Sequence, residues 1–173
     1  MKFKKFFYKK INSTNDLAIK KIQNGVKSGI IVCEFQKMGR GQRGNKWKSF
    51  QGNLFMTIFF KIKKSLTIKK MTTLNCEIIK KSLFKHIRYK IKIKSPNDLL
   101  INKKKFCGIL QEIIFNEDNK FIIIGIGINL IKSPKIANYP TTNILSETGI
   151  KLKKSKIIKS IEFNYINKLK LFA

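Results

Sequence analysis

Two apolar runs, KFCGILQEIIF (Lys105–Phe115) and KFIIIGIGINL (Lys120–Leu130), flank the polar stretch NEDN, and they limit what the chain can become. Short runs of Ile, Phe and Leu broken by Asn and Asp read as strands around a turn. GIIVCEF (Gly29–Phe35) and NLFMTIFFKI (Asn53–Ile62) are of the same type, and YKIKIK (Tyr89–Lys94) alternates as a half-buried strand should, with Ile91 and Ile93 inward. Lys2–Ile11, carrying Phe3, Phe6, Phe7 and Tyr8, suits a further short strand.

Helical patterns lie between these strands. In NSTNDLAIKKIQNG, Ser13 or Thr14 can cap, Asp16 falls in the first turn, Leu17, Ala18 and Ile22 share a face, and Gly25 can end the helix. From Leu66 to Ile87, residues Leu66, Met71, Leu74, Ile78 and Leu83 recur at roughly helical spacing, and Met71 and Phe84 read as core. A last lysine-rich helix is expected within Ser155–Phe172. Helices interspersed with mostly neighbouring strands imply an α+β domain with one mixed β-sheet. A length of 173 residues at 43% hydrophobic composition suffices for one core.

Charge is lopsided, with 38 Lys and Arg against 9 Asp and Glu and a net charge of +29. Arg40, Arg43 and Arg88 are the arginines; the other basic residues are lysines scattered from Lys2 to Lys170. A dispersed charge makes no defined nucleic-acid footprint, so specific DNA binding is not expected. Cys33, Cys76 and Cys107 are far apart and form no C-x-x-C pair, and His86 is the lone histidine, so neither disulfides nor a protein-held metal is expected. The start MKFKKFFYKKIN lacks the apolar segment of a secretion signal, and no apolar run approaches membrane-spanning length. A reducing, cytoplasmic setting without membrane association is the expectation.

The loop FQKMGRGQRGNKW (Phe35–Trp47) follows directly on an apolar strand. Its glycines allow main-chain N–H groups to approach an anion, while Arg40 and Arg43 add planar donors that fit phosphate or carboxylate. It is neither a Walker loop, for want of Gly-Lys-Ser/Thr, nor a Rossmann fingerprint. KSPND (Lys94–Asp98) has the composition of an ordinary turn. Gly108 in KFCGILQE and the glycines of GIGIN (Gly125–Asn129) mark places in strands where a ligand or another backbone can come close.

Taken together, STN (Ser13–Asn15), Q-x-x-G-R-G-x-R-G-x-x-W (Gln36–Trp47), K-x-P-N-D, K-x-x-G-I-L-x-E and G-I-G-I-N resemble, in order and spacing, the catalytic domain of biotin protein ligases. The resemblance runs from about Phe3 to Thr148. It implies a class II synthetase-like fold in which MgATP activates biotin to biotinyl-5′-adenylate. The biotinyl group then passes to one lysine of the biotin carboxyl carrier domain of acetyl-CoA carboxylase. No protein nucleophile is needed, and positioning and charge neutralisation would carry the catalysis. Mg2+ would be held mostly by phosphates and water.

By the same resemblance Ser13, Thr14, Asn15 and Gln36 would bind the biotin ureido ring, while Arg40, Gly41 and Gln42 would contact biotin and its activated carboxyl. Arg43 would serve the phosphates, Trp47 and Asn129 the adenine, and Lys94, Asn97 and Asp98 the region of the reacting phosphate. Asp98 would steer the incoming lysine, and Lys105 would offset charge at the biotinyl carboxylate.

Gln42 and Asn45 stand where such ligases often carry arginine, which implies a looser hold on the adenylate; Ser95 stands where tryptophan is usual, which implies less rigidity beside Asp98. One catalytic domain over residues 1–173 is expected, without a helix-turn-helix and with the small C-terminal β-barrel absent or vestigial. The resemblance admits a homodimer paired through sheet edges. The alternatives are a lipoate or octanoyl transferase, which GRGQRG and KSPND argue against, and a degenerate ligase fold with a non-catalytic, nucleic-acid-binding role.

Overall fold

The structure, a computed structural model, describes residues 2–137 and 139–168. Seven strands form one mixed sheet in the order β1-β2-β3-β7-β6-β5-β4. They are β1 (Lys4–Ile11), β2 (Ser28–Gln36), β3 (Leu54–Lys61), β4 (Lys92–Lys94), β5 (Asp98–Ile101), β6 (Lys104–Asn116) and β7 (Asn119–Ile128). β1 and β2 run parallel and every other neighbouring pair is antiparallel. The parallel pair needs a crossover, which α1 (Thr14–Gln23) supplies. The β6–β7 hairpin closes with Asn116 opposite Asn119, and the β5–β6 turn places Asn102 and Lys103 at φ of 48° and 63°. Both central residues at positive φ match the twist of the strands they join.

Alternation along the strands sorts two layers. Leu54, Met56, Ile58 and Phe60 of β3 and Ile122, Ile124, Ile126 and Ile128 of β7 bury against α2 (Ile68–Ile87) and α4 (Lys154–Lys168). Phe59 of β3 and Phe121 and Ile123 of β7 face the other way, onto Ala18 and Ile22 of α1. Between α2 and α4 the buried Tyr165 hydroxyl donates to Asn75 Oδ1 at 3.0 Å, and Asn164 donates to Ser82 Oγ at 2.8 Å. These bonds satisfy polar groups that burial would otherwise penalise.

The sequence expectations meet the structure with a few differences. Ser13 is the cap of α1, accepting from Asp16 N, and Gly25 follows its end with φ of 80°. The strand expected over Tyr89–Lys94 shrinks to Lys92–Lys94 because α2 ends on Arg88 in a left-handed conformation and the chain pairs only after turning. Phe84 is not core: it is 53% exposed, while its helix buries Ile79, Leu83 and Ile87. A sequence of mostly apolar and lysine residues marks the buried stripe poorly at its edge. The short helix α3 (Ile144–Thr148), capped by Asn143, was not foreseen. The last helix covers Lys154–Lys168, and residues 169–172 of the expected span lie outside the described residues.

Candidate functional site

On the face of β7 that buries Phe121 and Ile123, the next two alternating positions are Gly125 and Gly127. Apolar packing against α1 therefore gives way to a bare floor. Gly127 is paired with Gly108 of β6, and the sole tryptophan, Trp47, lies over both. A Cβ would stand 2.5 Å from the Trp47 indole at Gly127 and 2.6 Å from it at Gly108. Gly125 stands against the Asn15 amide in the same way. The close approach expected at these glycines is thus made by side chains of this chain.

Above the floor opens a cavity of about 650 Å³. Its lining collects every residue singled out by sequence: Ser13, Thr14 and Asn15 from the start of α1, and Gln36, Arg40, Gly41, Gln42, Arg43 and Trp47 from the end of β2 and its loop. From the other side come Lys94, Asn97 and Asp98 of the β4–β5 turn, Lys105 of β6 and Asn129 after β7. Segments more than a hundred residues apart in the chain converge because β2, β3, β7, β6 and β5 are successive neighbours in the sheet.

The loop over the cavity is internally bonded. Trp47 N donates to Gly39 O at 2.8 Å and Gly41 N to Asn45 O at 2.6 Å. At its tip Arg43 adopts φ of 55° and ψ of 39°, followed by Gly44 at φ of 76°. Gln36 Oε1 accepts from Thr14 N at 2.9 Å and from Thr14 Oγ1 at 3.0 Å, which ties the root of the loop to α1. Arg40 makes a two-pronged pair with Glu112, at 2.9 and 2.8 Å, and reaches Asp16 at 2.8 Å.

The opposite wall is ionic and aromatic. Lys105 Nζ lies 2.8 Å from Asp98 Oδ1, and the Tyr139 hydroxyl donates to Asp98 Oδ2 at 2.7 Å. Lys94 and Lys105 stand 4.0 and 5.5 Å from the centroid of the Tyr139 ring. Burial first, and then the bond to Asp98, push the Tyr139 phenol above its ordinary range, so it remains a donor at any physiological pH. Asn97 Nδ2 donates to Ile109 O at 2.6 Å and Ile109 N to Asn97 O at 3.0 Å, fixing the turn on β6.

Four of the expected binding amides are engaged by neighbours within the fold: Gln36 by Thr14 and Asn97 by Ile109, as above, and Asn15 and Asn129 as follows. Asn15 donates to Glu112 Oε2 at 2.7 Å and accepts from Thr57 at 2.7 Å. Asn129 donates to Thr142 O at 3.1 Å and takes a 3.4 Å bond from Asn53. Sequence reasoning missed Asn53, whose Oδ1 receives the main-chain N–H groups of Leu130, Ile131 and Lys132 at 3.0, 3.1 and 3.2 Å. It also missed Tyr139, Thr57 and the bonding role of Glu112. Among the described residues no group of three or more His, Cys, Asp or Glu is placed to hold a metal ion, and no helix is long and apolar enough to cross a membrane.

The profile of the Biotin/lipoate A/B protein ligase family matches residues 7–129. A curated relative, the Bifunctional ligase/repressor BirA of Escherichia coli (strain K12), is 32% identical over 123 residues, covering 69% of this chain. The chain spans 38% of that relative's length. The biotin protein ligase of Leishmania major in complex with biotinyl-5-AMP superposes with a TM-score of 0.84 at 22% identity, over 100% of this chain and 77% of that one. The biotin protein ligase of Aquifex aeolicus in complex with biotin and ATP gives 0.79 at 24% identity, over 97% and 72%. The seven-stranded sheet with its helices is the fold of biotin protein ligase catalytic domains.

Proposed function

Because the chain belongs to the biotin/lipoate A/B protein ligase family, we propose that it activates biotin with ATP to biotinyl-5′-adenylate and passes the biotinyl group to a lysine of the biotin carboxyl carrier domain of acetyl-CoA carboxylase. The observation that carries this reading is the convergence of all five sequence segments on one cavity, whose lining carries, besides Arg40, the cations Lys94, Lys105, Arg43, Lys46 and Lys48 against a single carboxylate, Asp98. Such a wall suits a substrate that brings several negative charges and a reaction in which those charges shift.

In the first step a carboxylate oxygen of biotin attacks the α-phosphorus of ATP, and the bond to pyrophosphate breaks. Ser13, Thr14 and Gln36, at the α1 end of the cavity, hold the ureido ring, with Gly41 and Gln42 beside the chain that leads to the carboxylate. Lys105 meets the reacting oxygens, and the arriving anion competes with Asp98 for its ammonium, 2.8 Å away. Arg43 and Lys94 face the phosphates, and Trp47 offers its ring to the adenine. Asn15, Asn97 and Asn129 act by fixing the walls to which they are bonded.

In the second step the amine of the carrier lysine attacks the acyl carbon, the bond to AMP breaks, and Asp98, released from Lys105, takes the amine proton. Mg2+ enters this scheme as a companion of ATP. Asp98 is already engaged by Lys105 and Tyr139, and the donor set does not fit a resident ion, so no step is assigned to the metal.

The test is biotin-dependent exchange of labelled pyrophosphate into ATP, with lipoate in a parallel reaction. Exchange with biotin and none with lipoate is expected. Exchange supported by lipoate alone would move the chain to the lipoate branch of the family, and none with either would favour a degenerate ligase fold.

A further inference from the structure

The guanidinium of Arg40 faces Glu112 and Asp16 at the edge of the cavity. Its two prongs meet both oxygens of Glu112 at 2.9 and 2.8 Å, and one prong also lies 2.8 Å from Asp16 Oδ1. One cation is therefore matched by two carboxylates, and a carboxylate or phosphate approaching it would meet a locally negative cluster. The positive charge of the lining lies elsewhere, on Arg43, Lys46, Lys48, Lys94 and Lys105.

Glu112 is the hub of this cluster. Its Oε2 accepts from Asn15 Nδ2 at 2.7 Å as well as from Arg40, and Asn15 Oδ1 in turn accepts from Thr57 at 2.7 Å. One carboxylate on β6 thus joins the glycine loop, α1 and β3. The consequence reaches Trp47, because the loop is closed by the bond from Trp47 N to Gly39 O at 2.8 Å and by the bridge between Arg40 and Lys46. Fixing Arg40 fixes the indole over Gly108 and Gly127.

We infer that Glu112 is a positioning residue and that Arg40 serves the site as a strut, pinning the glycine loop to β6 and α1, instead of as a charge that meets substrate. The inference rests on the biotin-ligase reading for its kinetic consequences and on the loop's geometry for its structural ones. A strut and its socket act as one unit, so removing either should do what removing both does.

The experiment compares Glu112→Gln, Arg40→Ala, Arg40→Lys and the Glu112→Gln/Arg40→Ala pair by amide hydrogen exchange of residues 39–47 without ligand, and by kcat and KM for biotin. Each single variant is expected to speed exchange in the loop and raise KM for biotin by about tenfold, the order of one lost charged hydrogen bond, with kcat within about threefold of the parent. The double variant should be no worse than either single one, and Arg40→Lys, which keeps the charge but loses the fork, should resemble Arg40→Ala. The inference is overturned if Glu112→Gln leaves loop exchange unchanged, or if Arg40→Ala lowers kcat about a hundredfold while Glu112→Gln and Arg40→Lys do not. Absence of biotin turnover in the parent protein would sink the functional reading alone, because the exchange comparison still decides the strut.

Discussion

Lys105 Nζ stands 2.8 Å from Asp98 Oδ1, so the lysine that meets the anion in the proposed reaction is held by the carboxylate that the same proposal assigns to the amine. The other oxygen of Asp98 takes the Tyr139 hydroxyl at 2.7 Å. Without substrate the two groups neutralise one another. An incoming anion that draws Lys105 away releases Asp98 for the second step, which orders the two halves of the proposed reaction.

That order makes Asp98→Asn selective. Adenylate formation should persist within about tenfold, while transfer to the carrier lysine should fall by about a hundredfold or more, the usual worth of a positioned proton acceptor. Single-turnover measurement of the two steps, with preformed adenylate for the second, checks this. An equal loss in both steps would remove Asp98 from the acceptor role.

Trp47 depends on the bare floor beneath it. In Gly127→Val the new side chain would occupy the place of the indole, since even a Cβ would stand 2.5 Å from it. Moving the ring into water should red-shift the emission of this sole tryptophan and raise KM for ATP by about tenfold, as for loss of one aromatic stacking contact. Fluorescence and nucleotide kinetics on the same preparation check both effects. An unshifted emission would mean that the ring does not rest on Gly127.

Glu147 gives a pH-dependent contribution to stability. The Thr142 hydroxyl at 2.6 Å, opposed by burial and helped by Asn102 and Lys104, holds its carboxyl below the ordinary carboxylate value. The folded state then binds its proton less readily than the unfolded chain does, so the stabilisation is complete above the unfolded value and fades as pH falls through the folded one. Glu147→Gln should cost about 1 kcal/mol at pH 7 and almost nothing in strong acid. Urea unfolding of parent and variant across that range is the measurement, and a cost that stays constant into strong acid would refute it.

The thiols should be inert in the folded protein. Burial pushes Cys33 up to about 12 and Cys76 up to about 11, and Cys107, fully buried, also lies well above its ordinary value. At pH 8 a thiol titrating near 11 is thiolate for roughly one part in a thousand, so modification should run at least about a hundredfold slower than for free cysteine until denaturant is added. Fast labelling of the native protein would show that the core around β6 and α2 opens readily.

What was legible in the sequence was whatever local pattern encodes. The apolar runs of β2, β3, β6 and β7, the Ser13 cap and the glycines at 108, 125 and 127 all carry their meaning within a few neighbouring residues. The cavity lining was legible only through the combination, because the five segments together, in their order and spacing, resemble biotin protein ligases, whereas KSPND taken alone has the composition of an ordinary turn. Asn53 and Thr57 were not, because each is defined by partners 42 to 79 residues away and nothing local distinguishes them from other polar residues in a strand or turn; Glu112 closes the K-x-x-G-I-L-x-E pattern, but its role shows only through Asn15 and Arg40, 97 and 72 positions earlier. Tyr139 sits in a segment without periodicity and matters through Asp98, 41 positions earlier. Phe84 failed for the opposite reason: an apolar type invited a core reading at a helix position whose face is open to solvent.

The central claim is that the cavity joins biotin to a carrier lysine. The direct measurement is intact-mass analysis of a biotin carboxyl carrier domain incubated with the protein, biotin and MgATP. A single biotinyl addition, absent without ATP and lost when the acceptor lysine is replaced, is the expected result. An unmodified carrier after prolonged incubation, or modification by lipoate but not by biotin, would contradict it.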